Sequence, residues 1–280
     1  MLQSFKISAL LILFVITDCY SKTIHHSVNE FGPIFIEDAI HTRCLSFVPV
    51  DESKVRQTCM IRNNPEKLVL SYQKIMLSAL YLNPEPPKQV LMLGLGGGTL
   101  VTAMTKLLPQ AHFDVVEINP AVAKIAKEYF NFKKTGNTTI FIQDAYEFVV
   151  NAKLSDKKYD LIVVDVFSAQ YIPPAFLTLN FVQTAKDILS PQGVIAVNTF
   201  INHKFSQTEL ENYLYKEVFG KFWNVEFSGN RIIFTSPGDI LANNDLERNA
   251  NIWNGKIEKH GVITNWLLKA FQKGHKITGN

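Results

Sequence analysis

Short apolar runs alternate with amphipathic stretches through the middle of the chain. The run Val90–Gly94 (VLMLG) is continuously apolar, as in a strand that is covered on both faces. Later apolar runs end at Glu117, Asp144, Asp165 and Phe200, and a stretch with helical periodicity follows each of the first four runs. This alternation predicts an α/β domain that has a parallel sheet with helices on both of its faces.

The flanking regions follow other patterns. Residues 23–65 hold short apolar patches between turn residues, which predicts a small β-rich unit, and the apolar residues of 68–82 have helical spacing. Gly229 and Asn230 lie between two apolar runs and predict the two-residue turn of a hairpin. A last amphipathic helix is predicted over Thr264–Phe271.

The first 21 residues differ from the rest in composition. A short start with one positive charge precedes Ile7–Thr17, which is almost wholly apolar, and this order is typical of a secretory signal peptide. The apolar run is too short to cross a bilayer as a helix. We therefore expect cleavage after Ser21, export, and no stable membrane span after processing. A buried N-terminal strand or helix of a cytoplasmic protein is the alternative.

These patterns divide the chain into four segments. We expect a signal peptide at 1–21, a small β-rich N-terminal domain at 22–67, a Rossmann-like nucleotide-binding domain at 68–237 and a C-terminal helical tail at 238–280. The second boundary marks the change from short strands to alternating strands and helices. The third follows the predicted hairpin.

Export changes the interpretation of the cysteines. Cys44 and Cys59 flank a polar stretch that contains Pro49 and resembles a turn between two strands. A disulfide between them would join the two strands of a hairpin, and disulfides persist in oxidising compartments. Two ordinary half-buried thiols are the alternative.

Charge and histidine spacing argue against two classes of partner. The formal net charge is only +3, and no stretch carries a dense run of Lys and Arg. Duplex binding needs a concentrated positive face, so we expect no nucleic-acid partner. The seven His residues are scattered without the spacing of metal ligands, so we expect no metal site.

Candidate chemistry lies at the ends of the predicted strands. Gly94, Gly96, Gly97 and Gly98 follow a strand and open a helix, where glycine lets the backbone approach a ligand. Three acids end later strands, and ligands of open α/β sheets bind at that edge. Glu117 can accept hydrogen bonds from both ribose hydroxyls, Asp144 can meet an adenine amino group, and Asp165 ends the fourth strand. Each acid alone could instead be an ordinary turn or helix cap.

A glycine loop followed by an acidic second strand also suits NAD. The loop reads G-L-G-G-G, however, and lacks the G-x-G-x-x-G order of dinucleotide-binding proteins. Asp144 is followed by the aromatic residues Tyr146 and Phe148, which looks more like an S-adenosylmethionine-type site.

Six segments between about 68 and 200 occur in the order and spacing of spermidine synthases and their relatives. They are SYQ (Ser71–Gln73), QVLMLGLGGGTL, VVEINPAVAKIAKEYF, QDAYEF, YDLIVVDVFSAQYIPP and LSPQGVIAVN. The chain resembles that family. The resemblance implies a seven-stranded Rossmann-like sheet of the S-adenosylmethionine-methyltransferase type, a small β-rich N-terminal domain and an adenosyl-thioether ligand. It also implies that Gln73 contacts the cofactor, Glu117 the ribose and Asp144 the adenine.

Two acidic positions of that family differ here. Spermidine synthases carry an Asp in the glycine loop that contacts the aminopropyl amine, where this chain has Gly97. A second Asp, which acts on the attacking amine, is replaced by Ser168. Asp165 is then the only acid left at the amine end. A desolvated diamine needs carboxylates to offset its charge, so we expect little spermidine synthesis and poor discrimination against intact S-adenosylmethionine.

The sequence therefore predicts a transferase whose substrate is S-adenosylmethionine or its decarboxylated form. It would move a methyl or aminopropyl group to a small-molecule amine or other nucleophile, with Asp165 as the catalytic residue. The expected cofactor-binding residues are Gln73, Gly94, Gly96, Gly98, Glu117 and Asp144. The alternative is an exported, catalytically inactive binding or interaction protein that keeps the fold. The oligomeric state stays open, with a homodimer as one option.

Overall fold

The computed structural model describes residues 21–49, 52, 55–83, 85–168, 171–201, 206–238, 243–273 and 275–278. The predicted signal peptide lies outside the described residues, apart from its last position. No helix within the described ranges is long and apolar enough to cross a membrane.

The N-terminal part is a small antiparallel sheet, as its short apolar patches predicted. Its four strands, in spatial order, are β1 (Lys22–Asn29), β2 (Gly32–Asp38), β3 (Thr42–Ser46) and β4 (Thr58–Ile61). Cys44 and Cys59 lie directly opposite each other in the pairing of β3 with β4. They form the predicted disulfide, with their Cα atoms 4.1 Å apart.

The central sheet confirms the predicted α/β fold class. Strands β5 to β9 pair in parallel, and the hairpin of β10 and β11 joins β9 antiparallel. A short strand from the tail, β12, pairs with the outer edge of β10, so the seven-stranded sheet gains an eighth strand at that edge. The spatial order is β12-β10-β11-β9-β8-β5-β6-β7. The strands are β5 (Gln89–Leu93), β6 (His112–Glu117), β7 (Thr138–Ile142), β8 (Tyr159–Val164), β9 (Leu189–Phe200), β10 (Lys221–Phe227), β11 (Asn230–Thr235) and β12 (His275–Thr278).

Helices cover both faces of this sheet. They are α1 (Ser71–Met76), α2 (Ala79–Leu82), α3 (Thr99–Leu107), α4 (Pro120–Tyr129), α5 (Ala145–Leu154), α6 (Leu179–Asp187), α7 (Thr208–Phe219), α8 (Asn243–Ile257) and α9 (Thr264–Lys273), with 3-10 turns at Pro174–Phe176 and Glu258–His260. Because successive strand residues point to opposite faces, Val90 and Met92 pack into one core while Leu91 and Leu93 pack into the other.

A third apolar cluster fixes the small sheet to the large domain. Ile36 and Leu45 of the small sheet pack against Val122 and Ile125 of α4. All four are almost completely buried. The small sheet therefore lies against α4, close to the glycine loop that follows β5.

Two local predictions need correction. The helical pattern of 68–82 forms two short helices, because Ser78 donates its hydroxyl to the carbonyl of Ile75 and tightens the turn between them. The hairpin turn falls at Ser228 and Gly229, one residue before the predicted pair. Both residues have positive φ angles, 51° and 85°, as the favoured hairpin turn requires.

The disulfide generates a stability prediction. Replacing Cys44 and Cys59 together by Ser should lower the free energy of unfolding by about 3 kcal/mol, because closing a loop of this length restricts the unfolded chain. Urea denaturation with and without dithiothreitol measures the effect. The double variant should be insensitive to the reductant. An unchanged midpoint for the unmodified protein under reduction would contradict the prediction.

Candidate functional site

A cavity of about 220 Å³ opens at the carboxyl ends of β5, β6 and β8. The strand order reverses direction between β5 and β8, which is where ligands of open α/β sheets bind. The cavity is lined by five of the seven predicted site residues, Gly94, Gly96, Glu117, Asp144 and Asp165. The structure thus brings together residues from four different strand ends, and apolar side chains such as Phe47, Ile118 and Phe176 complete the walls.

The glycine loop passes very close to the end of β8. Gly94 has a φ of +97°, and a Cβ at this position would lie 2.2 Å from the backbone oxygen of Asp165. A side chain is therefore excluded here on both conformational and steric grounds. Gly98 has a different role, because it adopts the left-handed conformation that opens α3 and packs on the Phe132 ring. It is not among the residues that line the cavity, and its predicted role in cofactor binding stays a prediction.

Glu117 ties the glycine loop to the neighbouring strand. One carboxylate oxygen accepts from the backbone N–H of Leu95 at 3.1 Å, and the other accepts from that of Asn119 at 3.0 Å. Burial raises the pKa of Glu117, and the backbone N–H groups oppose that rise. The backbone N–H groups of Gly96 and Ile118 also hydrogen-bond this carboxylate, and the predicted contact with two ribose hydroxyls stays a prediction.

Asp144 is the N-cap of α5, which is the role that the sequence analysis gave as the alternative to ligand binding. Its Oδ1 atom accepts from the backbone N–H groups of Tyr146 (2.7 Å) and Glu147 (3.1 Å) at the start of α5. The side chain nevertheless lies at the cavity wall. The cap holds the carboxylate in a fixed place, and the predicted adenine contact stays a prediction.

Asp165 lies half-buried at the inner end of the cavity. Its Oδ1 atom accepts a hydrogen bond of 2.9 Å from the amide of Asn198, and the Tyr72 hydroxyl also hydrogen-bonds the carboxylate. Burial outweighs both hydrogen bonds and raises the pKa of Asp165 to about 6. A carboxylate with a pKa near neutrality is well matched to accept a proton from a reacting group.

The residue beside the predicted cofactor contact is the one that reaches the cavity. Gln73 is buried behind the loop, where its side chain amide donates to the hydroxyl of Thr99 at 3.2 Å. Tyr72 lines the cavity, and its hydroxyl lies 3.0 Å from the backbone oxygen of Gln57, so its single proton is shared between that oxygen and the Asp165 carboxylate. Gln73 is not among the residues that line the cavity, and its predicted contact with the cofactor stays a prediction. The SYQ motif lies on the turn of helix beside the cavity, and Tyr72 is its lining residue.

The position of the missing loop acid is filled by other side chains. The N–H of Gly97 donates to the hydroxyl of Thr58 in β4 at 3.0 Å. A Cβ at Gly97 would lie 2.7 Å from the methyl carbon of Thr58 and 2.9 Å from the ring of Phe130. An Asp at this position would therefore displace one of those neighbours.

Within the part of the chain that the structure describes, no three or more His, Cys, Asp and Glu side chains are grouped so that they could hold a metal ion. The acids of the cavity accept hydrogen bonds from backbone N–H groups and from neutral side chains.

The sheet order, the glycine loop and the acids at the strand ends together define a Rossmann-like α/β protein with an acid-lined cavity at the carboxyl edge of its sheet. Residues 70–232 match the family model of the spermine/spermidine synthase domain. This is more than half of the chain, which therefore belongs to the spermine/spermidine synthase family.

Relatives of two kinds are similar to the chain. A polyamine aminopropyltransferase of Vibrio vulnificus (strain CMCP6) is 36% identical over 234 residues, which cover 82% of this chain and 77% of that protein. The eEF1A lysine and N-terminal methyltransferase homolog of Drosophila melanogaster is 33% identical over 190 residues, 65% of this chain but only 27% of that protein. The crystal structure of human methyltransferase-like protein 13 in complex with SAH is similar with a TM-score of 0.59 and 27% identity, over 68% of this chain and 93% of that chain. These relatives are transferases.

The raised pKa of Asp165 generates a pH-dependent stability prediction. An Asp with a pKa near 3.8 when unfolded and about 6 when folded loses stability as the pH rises between these values. Asp165→Asn should therefore stabilise the fold by up to about 3 kcal/mol at pH 8 and by about half of that at pH 5. Urea denaturation at the two pH values measures this difference.

Asp160→Asn is the matched control. Burial acts against ionisation of this carboxyl, but hydrogen bonds from Ser190 and from the backbone of Lys88 and Gln89 hold its pKa below the usual value. The control should therefore destabilise the fold near neutral pH. An Asp165→Asn variant that loses stability at pH 8 would contradict the assigned ionisation.

Proposed function

We propose that the protein is a transferase that binds S-adenosylmethionine or its decarboxylated form in the cavity at the carboxyl ends of β5, β6 and β8. The observation that carries this proposal is the meeting of Gly94, Glu117, Asp144 and Asp165 around one cavity. Membership of a family whose curated relatives include aminopropyltransferases and methyltransferases supports it.

Each part of the cavity has a proposed task. Glu117 would bind the ribose hydroxyls, and Asp144 would lie near the adenine amino group. The loop backbone at Gly94 and Gly96 would allow close approach of the adenosyl group. Asp165 lies at the far side, beside Tyr72, where the carbon attached to the sulfonium would be attacked.

The proposed reaction is a displacement at that carbon. The lone pair of an amine-type nucleophile forms the new bond, the carbon–sulfur bond breaks, and its electron pair leaves on a neutral thioether sulfur. The proton released by the amine passes to Asp165. Holding the two reactants in line supplies much of the rate, so rigid placement of Asp165 by Asn198 and Tyr72 matters as much as its basicity.

Of the two altered positions, Gly97 favours weak discrimination between the two donors. Gly97 carries no side chain that could repel the carboxylate of intact S-adenosylmethionine, and it packs on Thr58 instead. Ser168, at the second altered position, uses its backbone N–H to hydrogen-bond the carbonyl of Tyr171. The proposal therefore includes methyl transfer as well as aminopropyl transfer.

Calorimetric titration with S-adenosylmethionine, its decarboxylated form and methylthioadenosine tests the cofactor site. We expect all three to bind, the first two within about tenfold of each other. Glu117→Ala should weaken each by about 1.5–3 kcal/mol, the scale of a hydrogen bond to a charged group. Glu128→Ala is the control, since that carboxylate lies half-exposed on α4 and pairs only loosely with Lys124. If no adenosyl ligand binds, the protein is instead a binding or interaction protein that keeps the fold.

We also propose that the protein is exported. The apolar start of the chain and the disulfide between Cys44 and Cys59 support this, because disulfides persist in oxidising compartments. Mass spectrometry of the natural protein should find a mature N-terminus at Lys22. A chain that begins at Met1 with both thiols free would overturn the proposal.

A further inference from the structure

A second chamber, of about 460 Å³, adjoins the cavity assigned to the cofactor. The two spaces share the wall formed by Gln57, Tyr72 and Phe167. The second chamber continues between the residues that precede β4, the start of α1 and the β10–β11 turn. In a transferase, a space on the far side of the reacting carbon is where the acceptor must lie.

A hydrogen-bonded chain links this chamber to the proposed base. The amide of Asn230 donates to the oxygen of Asn198 at 3.0 Å, and the amide of Asn198 donates to Asp165 at 2.9 Å. Asn230 and Asn198 line the chamber, and Asp165 lines the cofactor cavity. The carboxylate of Asp165 is therefore held at the junction of the two spaces, within reach of a nucleophile that enters from the chamber.

The walls of the chamber are largely apolar. The apolar side chains are Val55, Val69, Leu70, Phe167, Phe200 and Ile201. The rings of Phe167 and Phe200 pack in a tilted pair with centroids 4.8 Å apart. Such walls favour an aliphatic or aromatic body in the acceptor, because burial of apolar surface is favourable.

The described residues that line the chamber offer no carboxylate to pair with a second ammonium group. None of the described residues that line it is Asp or Glu, and the polar ones besides Arg56 are neutral. Arg56 pairs with the buried carboxylate of Glu37 at 3.2 Å, so that carboxylate is already engaged. A second ammonium group would lose its hydration on entering the chamber. No lining carboxylate would be available to offset the charge of that ammonium group.

We infer that the acceptor is a monoamine with an uncharged aliphatic or aromatic body, which places its single nitrogen at Asp165 and its body in the second chamber. This inference rests on the proposed transferase function and names the substrate class of that site. The inferred monoamine differs from a diamine or polyamine acceptor because it carries no positive charge at the end far from Asp165.

Pentylamine and 1,4-diaminobutane form the matched probes, because they differ only by a methyl group in place of the second amine. Their binding to the full-length protein loaded with methylthioadenosine is measured by calorimetry, and their alkylation by either donor is followed by mass spectrometry. We expect a dissociation constant at least about tenfold lower, and a kcat/KM at least about tenfold higher, for pentylamine. Equal or better use of the diamine, or no binding of either amine at millimolar concentration, would overturn the inference.

Substitutions of Ser228 test the effect of an added negative charge in the chamber separately from the effect of side-chain shape. It lies at the chamber rim, is exposed, and has a φ of 51°, which Asp and Asn both tolerate. Ser228→Asp should move the preference toward 1,4-diaminobutane by about tenfold, whereas Ser228→Asn, of the same shape, should not. Equal preferences in the two variants would show that the diamine end does not reach the chamber. The calorimetric titration with adenosyl ligands separates failure of this inference from failure of the transferase proposal, because no adenosyl ligand would bind if the transferase proposal were wrong.

Discussion

The close approach of the glycine loop to the end of β8 is the constraint on which the site depends. The N–H of Gly94 bonds the carbonyl of Val116 in β6, and the N–H of Asp165 bonds the carbonyl of Leu93 in β5. The end of β5 is thus held from both sides, at a distance that leaves no room for a side chain at Gly94. This contact places the loop backbone, the carboxylate of Glu117 and the carboxylate of Asp165 around one cavity.

The surroundings of Asp165 raise its pKa at the expense of folding stability. Its two neutral partners, Asn198 and Tyr72, orient the carboxylate, but they do not compensate the loss of water around a charged oxygen. A cationic partner would lower the pKa and stabilise the fold, and it would also remove the tendency to accept a proton. A proposed base that is positioned only by neutral groups is therefore consistent with catalysis, at a cost in folding free energy.

The elements that the sequence predicted well are those fixed by local signals. Asn119 and Pro120 begin α4 as expected, with the side chain oxygen of Asn119 accepting from the N–H of Ala121 at 3.0 Å. The glycine loop and the acids at strand ends followed from the strand pattern, because a parallel sheet brings carboxyl ends together. The predicted disulfide followed from the turn-like composition between Cys44 and Cys59 together with the expected export.

Features that depend on distant segments were not visible in the sequence. The second chamber is built from three parts of the chain that meet only in the fold, and β12 has too few apolar residues to show a strand pattern. Tyr72 lines the cavity whereas its neighbour Gln73 is buried, and this difference depends on the rotation of a helix only six residues long. Such details are set by tertiary packing, which local patterns do not encode.

The contact of Thr58 with the glycine loop also restricts how this chain can change. Thr58 and Phe130 occupy the space around Gly97. A substitution of Gly97 by an acid therefore requires an earlier change that frees this space. A single substitution would meet a β-branched side chain and an aromatic ring, neither of which can bend aside cheaply. The order of mutations then matters, because a smaller residue at position 58 or 130 has to come first. In that intermediate variant, the small sheet would pack less tightly against the glycine loop. The packing of Thr58 and Phe130 around Gly97 therefore restricts which side chains the glycine loop can acquire by single substitutions.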